Sequence, residues 1–115
     1  MARSTTLGRR ATEDRLDASF GALADTTRRA ILTRLRQGPA SVSELAQPFR
    51  MSLPAVSKHL RVLQKAGLIS RSQDGRTHFC VLKPNAGREM ERWLSEQRDF
   101  WTQTLEALAR HVERE

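Results

Sequence analysis

The sequence lacks the features of an extracellular or membrane-bound protein. Its single cysteine, Cys80, has no partner for an internal disulfide, so the fold does not depend on an oxidising compartment. No apolar run approaches the length of a membrane span, and residues 1–13 lack the apolar stretch of a secretory signal. With 115 residues, the chain has room for one domain with a single core. We therefore expect a single-domain protein in the cytoplasm.

Catalytic patterns are missing as well. The three histidines, His59, His78 and His111, fall on three different predicted elements, and none of them is paired with a nucleophile. The sequence contains no glycine-rich phosphate loop. We expect neither an enzyme nor a bound cofactor.

Positive charge is abundant, and it is concentrated in the middle of the chain. The formal net charge is +7. Residues 26–83 carry eleven Lys or Arg against two acids, whereas residues 14–25 and 84–115 are both net acidic. A polyanionic partner would therefore contact the middle of the chain.

The N-terminal part predicts a tail followed by two helices. Residues 1–13 are polar and predict a flexible basic tail, whose arginines are more often solvated than bound to phosphates. A helix over 14–25 presents one apolar stripe at Leu16, Phe20 and Leu23. The following helix begins after Asp25, which can cap it, and it buries an apolar face made up of Ala30, Ile31, Leu32 and Leu35.

Two further helices follow at close spacing. Ser41 and Glu44 have the spacing of a capping box at the start of a short helix. Ser52 can cap the next helix, in which Pro54 lies in the first turn and which ends near Gly67. Two short-linked helices of this kind predict a helix-turn-helix.

The remainder predicts a wing and a long helix. Strands at 68–71 and 77–82 are joined by residues 72–76, whose Asp-Gly pair favours a tight hairpin. A long amphipathic helix then covers 86–115. The predicted fold class is mainly α with a small β-hairpin wing, in the order α-α-α-α-β-β-α, within one domain over 14–115. Within it, we expect residues 26–83 to form the core that binds the polyanion.

The helix that begins at Leu53 has the character of a DNA-recognition helix. Its apolar side buries Val56, Leu60 and Leu63, while small residues near its start leave room for base edges and its basic residues reach phosphates. From geometry alone, His59 is equally well explained as a side chain that orients the helix or as one that contacts DNA. The candidate DNA-contact residues are Ser41, Ser52, Leu53, Ala55, Ser57, Lys58, His59, Arg61, Arg71 and Arg76.

Several runs in this region resemble the ArsR/SmtB family of bacterial transcriptional repressors. They are the segment from Leu23 to Leu32, the segment from Ser52 to Leu60, and Ala66-Gly67-Leu68-Ile69; Thr26 stands where a proline is common. The resemblance implies a repressor that binds an imperfect inverted repeat in double-stranded DNA, and it favours DNA contacts by Ser57 and His59. It also implies a homodimer through the first and last helices.

Dimerisation is expected independently, because the apolar stripe of the last helix is too long for a small core to cover. The candidate interface residues are Leu16, Phe20, Leu23, Trp93, Leu94, Trp101, Leu105, Leu108 and Val112.

Metal ligands known from this family are mostly missing. The helix near Ser43 contains no cysteine, and the positions counted back from His111 hold Arg98 and Phe100, with Arg114 in place of a glutamate. His78 and Cys80 alone are too few ligands for a closed zinc site. We therefore expect the metal-independent branch of the family, with no metal.

The sequence thus predicts a dimeric transcriptional repressor that acts on duplex DNA and associates with the bacterial nucleoid when bound. The resemblance implies that such a repressor can also act on its own operon. The alternative is a winged-helix protein-interaction module without specific DNA binding. A protein partner gives no reason, however, for basic charge to concentrate on the helix-turn-helix and the wing.

Overall fold

The computed structural model describes the backbone of residues 2–114 and the side chains of residues 8–114. Its first helix, α1, spans Ala2–Leu23. We expected a flexible tail up to residue 13, whereas the structure continues α1 through this segment. The segment contains no proline, and alanine, arginine and leucine favour a helix even where no apolar face is repeated. The side chain of Arg3, one of the tail arginines, lies outside the described residues.

Helix α2 spans Thr26–Leu35 and begins as its cap predicts. The Asp25 side chain accepts a hydrogen bond from the backbone N–H of Arg28, which satisfies one of the free donors of the first turn. Ile31 and Leu35 are buried, as expected. Ala30, which we expected on the buried face, is exposed because it lies on the solvent side of the helix.

The predicted helix-turn-helix consists of α3, Val42–Ala46, and α4, Leu53–Lys65. Ser41 and Ser52 cap these two helices through side-chain oxygens that accept backbone N–H groups. Helix α4 ends at Lys65 with Ala66 as its C-cap, followed by Gly67 with φ 77°, a left-handed conformation that favours glycine. Both predicted caps of α4 are therefore confirmed.

The sheet contains three antiparallel strands rather than the predicted two. The strands are β1, Ala40–Ser41, β2, Ile69–Asp74, and β3, Thr77–Leu82, in the order β1-β3-β2. Strand β1 was missed because two residues form a strand only by pairing with β3, a contact between distant parts of the chain.

The hairpin turn consists of Gly75 and Arg76 and is tighter than the predicted connection. Gly75 has φ 63°, whereas no non-glycine residue in the described part of the chain has a positive φ. A positive φ at the first central residue alone is the pattern of a type II′ turn, which matches the twist of the flanking strands. The wing therefore extends as a regular two-stranded ribbon as far as Asp74 and Thr77.

The last helix, α5, spans Arg88–Arg114 and starts two residues later than predicted. It packs on α1 through an ion pair between Arg15 and Glu89 at 2.8 Å and an edge-to-face contact between Phe20 and Trp93. Among residues 2–114, no helix has the length and apolar character that crossing a membrane requires.

The four helices α1, α2, α3 and α4 pack with the sheet around one apolar core. Its fully buried large side chains are Ile31, Leu45, Val56, Leu60, Leu63, Ile69 and Cys80. Three of them, Val56, Leu60 and Leu63, are the predicted buried face of α4. The core therefore determines which side of α4 faces solvent.

We predict that Leu60→Ala lowers the free energy of unfolding by about 2–5 kcal/mol, because it leaves a cavity at a fully buried position. The same truncation at Leu53, which is 51% exposed, should change it by less than about 0.5 kcal/mol. Urea unfolding of both variants measures the difference. Equal losses would show that α4 does not bury the side that the structure shows.

Candidate nucleic-acid interface

The start of α4 is a capped first turn at the surface. Ser52 has an extended backbone, and its Oγ accepts the N–H of Ala55 at 3.3 Å. Pro54 occupies the first turn, where its missing N–H leaves no bond unmade. The N–H of Leu53 is thus the one donor of this first turn for which the structure shows no bond among the residues that it describes, and the helix dipole adds a partial positive charge that favours an anion such as phosphate.

The predicted DNA-contact residues of α4 lie around its solvent-facing side. Ser52, Leu53, Lys58 and Arg61 are exposed. Ala55 and Ser57 are half-buried. The face thus has small side chains near the helix start and basic ones beyond it, as a helix that inserts into the major groove requires.

Ser41 caps α3 and is engaged within the fold. Its Oγ accepts the backbone N–H of Glu44 at 3.1 Å, and its hydroxyl donates to Glu44 Oε1 at 3.2 Å. This is one half of the predicted capping box, because the Glu44 carboxylate bonds the Ser41 hydroxyl instead of its backbone. The same carboxylate pairs with Arg34 at 3.3 Å.

His59 connects α4 to the start of α2. Its Nδ1 lies 3.2 Å from Nη1 of Arg28 and 3.9 Å from Oδ2 of Asp25. The side chain is 20% exposed, so both readings left open by the sequence remain compatible with its position. The backbone N–H of Arg28 lowers the pKa of Asp25, against an opposing contribution from burial; the Arg28 guanidinium and His59 lower it further.

Two arginines at the start of α2 bond the end of α1. Arg28 donates from Nε to the carbonyl of Ala22 at 2.7 Å, and Arg29 donates from Nη1 to the carbonyl of Leu23 at 2.6 Å. The last carbonyls of a helix have no partner within it, so these bonds complete α1. This role of the two arginines was not predicted from the sequence. Its one signal is a pair of arginines directly after a capped helix start and close to the end of the preceding helix.

The two arginines predicted at the wing occupy different environments. Arg76 lies in the turn and is exposed. Arg71 does not flank the turn as predicted, because β2 continues to Asp74; it is half-buried opposite Cys80 in the strand register. Its Nε is buried and makes no hydrogen bond within the described part of the chain.

Cys80 is a buried thiol in the core. Burial raises its pKa, and the neighbouring Arg71 offsets this only in part. A thiol with a raised pKa is a poor nucleophile at neutral pH. Its packing agrees with the sequence interpretation of Cys80 as a small apolar residue.

The predicted dimer residues fall into two groups. Leu16 is buried within the core of its own chain, and Phe20 packs on Trp93, because α1 and α5 contact each other within the protomer. In contrast, α5 exposes an apolar stripe in which every side chain is more than half exposed. This α5 stripe consists of Leu94, Trp101, Leu105, Leu108 and Val112.

Within the described residues, no three His, Cys, Asp or Glu side chains cluster where they could hold a metal ion. The imidazole and thiol nearest each other in sequence, His78 and Cys80, are separated by burial: His78 is exposed and Cys80 is fully buried.

Comparison with known proteins agrees with this architecture. The family described as a helix-turn-helix domain matches residues 23–71. The chain is 39% identical over 99 residues to the HTH-type transcriptional regulator Rv2034 of Mycobacterium tuberculosis, covering 86% of this chain and 90% of that protein. It is 44% identical to the ArsR family transcriptional regulator RHA00566, whose crystal structure superposes with a TM-score of 0.74 over 78% of this chain and 93% of that one.

The chain belongs to the ArsR family of transcriptional regulators. It is also 32% identical over 75 residues to the transcriptional repressor SdpR of Bacillus subtilis, covering 65% of this chain and 83% of that protein. A homodimeric winged helix-turn-helix DNA-binding domain, Mb0332 from Mycobacterium bovis, is 26% identical, with a TM-score of 0.62 over 85% of this chain and 88% of that one. As an ArsR-family member, the protein is a DNA-binding transcriptional regulator with a winged helix-turn-helix.

We predict that Ser52→Ala lowers the free energy of unfolding by about 1 kcal/mol, because the N–H of Ala55 loses its acceptor. Ser52→Asp should keep this stability, since a carboxylate also caps a helix, yet it should weaken DNA binding by placing negative charge beside phosphates. Urea unfolding and a DNA titration on the same samples separate the two effects. If Ser52→Asp bound DNA with unchanged affinity, the start of α4 would not be part of the DNA interface.

Proposed function

We propose that the protein is a homodimeric repressor that binds an inverted repeat in double-stranded DNA, with one α4 in the major groove of each half-site. The observation that carries this proposal is the start of α4, where a capped first turn with short side chains at Ser52, Pro54 and Ala55 is followed by the exposed basic residues Lys58 and Arg61. Autoregulation of the repressor's own operon is part of the proposal.

Different parts of the α4 face have different roles. Ser52, Leu53, Ala55 and Ser57 lie near the helix start, where short side chains bring the backbone close to base edges; Leu53 and Ala55 can contact a thymine methyl group. Lys58 and Arg61 reach the phosphates on either side of the groove.

The wing adds a second contact to the DNA backbone. Arg76 is exposed in the turn between β2 and β3, where its side chain can reach a phosphate beside the adjacent minor groove. Arg71 is half-buried, so it contributes less direct contact than we first expected.

The α5 stripe supports dimerisation. Five large apolar side chains, each more than half exposed, form a contiguous face of the kind that marks an interaction site. Leu23 lines a surface cleft together with Leu94 of this stripe, and Trp93, the residue before Leu94, is 42% exposed. Mb0332 is a homodimeric protein of the same fold. Two protomers related by a two-fold axis would place their α4 helices about one helical turn of DNA, roughly 34 Å, apart.

Regulation by a metal ion is not part of the proposal. The positions that ligate metals in other ArsR proteins hold Arg98, Phe100 and Arg114 beside His111. Arginine and phenylalanine do not ligate metals. We accordingly infer that the protein belongs to a metal-independent branch and has no catalytic role, acting on DNA in the bacterial cytoplasm.

We predict that Lys58→Ala weakens operator binding and reduces the slope of log affinity against log salt by about one unit for each protomer, because one phosphate contact is lost. Arg92→Ala removes the same charge from the polar side of α5 and should leave the slope unchanged. Fluorescence anisotropy across a salt series measures both variants. Equal slopes in both would show that α4 does not neutralise phosphates.

We predict that Leu105→Glu splits the dimer into 13.1 kDa protomers and abolishes tight operator binding, because a charge would be buried in the α5 stripe. Gln103→Glu adds the same charge on the opposite side of α5 and should remain dimeric. Sedimentation at micromolar concentration distinguishes these states. A wild-type protein that sediments as a protomer would contradict the assignment of the stripe.

A further inference from the structure

Two side chains with opposite hydrogen-bonding requirements lie near the same ring nitrogen of His59. Nη1 of Arg28 lies 3.2 Å from Nδ1, and Oδ2 of Asp25 lies 3.9 Å from the same atom. A guanidinium has only donors, so it requires a lone pair on Nδ1, whereas a carboxylate accepts only and requires a proton there. The ring of a neutral histidine can satisfy one of these partners but not both.

The distances determine which partner prevails. A separation of 3.2 Å lies within hydrogen-bond range, and 3.9 Å lies outside it. Nδ1 therefore accepts from Arg28, and the single proton of the neutral ring is on Nε2. We propose that Arg28 selects this tautomer of His59, so that Nε2–H serves as a hydrogen-bond donor to a DNA phosphate. The DNA contact rests on the function proposed above, whereas the choice of tautomer does not.

The guanidinium is held in place by bonds that are independent of His59. Its Nε donates to the carbonyl of Ala22 at 2.7 Å, and its Nη2 donates to the carbonyl of Gly21 at 3.2 Å. Both acceptors belong to the end of α1. Nη1 is thus presented to His59 by a fixed support, which makes Arg28 a positioning residue that connects α1 to the recognition helix.

Asp25 provides the competing state. Its Oδ2 accepts the backbone N–H of Arg28 at 3.0 Å, which keeps the carboxylate next to the imidazole even when the Arg28 side chain is removed. The same environment lowers the pKa of Asp25, so the group stays ionised. Without the guanidinium, Asp25 becomes the sole partner of Nδ1 and draws the proton to that atom. Nε2 then carries a lone pair and repels a phosphate oxygen.

The decisive experiment observes the tautomer directly. Long-range proton–nitrogen spectra of the full-length protein with labelled histidine, at about pH 8 where a free imidazole is neutral, distinguish a protonated Nε2 from a protonated Nδ1. We expect Nε2–H in the wild type and Nδ1–H in Arg28→Ala, with roughly tenfold weaker operator binding for each lost donor. Wild-type protein with Nδ1–H, or the same tautomer in both proteins, overturns the proposal.

Arg29→Ala is the matched control. Arg29 follows directly in sequence, carries the same charge and also bonds a carbonyl at the end of α1, yet the structure shows no bond from it to His59. Its removal should therefore lower stability through α1 as Arg28→Ala does, while the tautomer stays Nε2–H. If Arg29→Ala changed the tautomer to the same extent, the cause would be a general loss of packing between α1 and α2, and the proposal would be overturned.

A rescue variant separates tautomer selection from structural damage. Asp25→Ser retains a side-chain cap for α2 but removes the carboxylate that competes for Nδ1. In the double variant Asp25→Ser with Arg28→Ala, we expect Nε2–H to return together with part of the lost affinity. If the Nε2–H tautomer does not return in the double variant, Asp25 and Arg28 do not compete for Nδ1.

His59→Gln keeps the test decisive if Arg28→Ala folds poorly on its own. The amide nitrogen of glutamine donates whatever its neighbours are, so adding Arg28→Ala to His59→Gln should cost little further affinity in those molecules that remain folded. A full additional tenfold loss would overturn the link through His59. If Arg28→Ala switches the tautomer but leaves operator affinity unchanged, His59 does not contact a DNA phosphate and has no place in the proposed interface. That outcome is distinct from a failure of tautomer selection, in which the tautomer itself does not change.

Discussion

The burial of Val56, Leu60 and Leu63 fixes which side of α4 faces the core and which side faces solvent. These three side chains are inaccessible to solvent and pack among residues of α2, α3 and the sheet. When one side of a helix is buried, the residues on its opposite side are necessarily exposed to solvent. The same burial therefore brings Lys58 and Arg61 to the surface, and it sets His59 at the border, against the start of α2.

Elements defined by neighbouring residues were predictable from sequence, and elements defined by distant contacts were not. Ser52 and Gly67 mark the two ends of α4 through local hydrogen bonds and local backbone preference, so their roles can be recognised without a structure. Strand β1 forms only by pairing with β3. The first half of α1 has no repeated apolar position to reveal it, and helix formation there follows from residue propensity alone.

The candidate site shows the same division. The positive charge of residues 26–83 indicated the region that a polyanion would contact, but a charge count does not show what each cation contacts. Arg28 and Arg29 bond the end of α1, Arg34 pairs with Glu44, and Arg71 is half-buried in the sheet. These bonds depend on how the chain turns between helices, so they became visible only with the fold.

If two copies pair through the exposed stripe of α5, as proposed, the occupancy of DNA depends on how much protein the cell makes. When two copies must pair before both half-sites can be filled, the number of competent molecules rises with the square of the protomer concentration as long as protomers predominate. A modest fall in synthesis then empties operators more sharply than it would for a protein that acts alone. The gene under such a repressor can be released by dilution during growth, without any molecule binding to the protein.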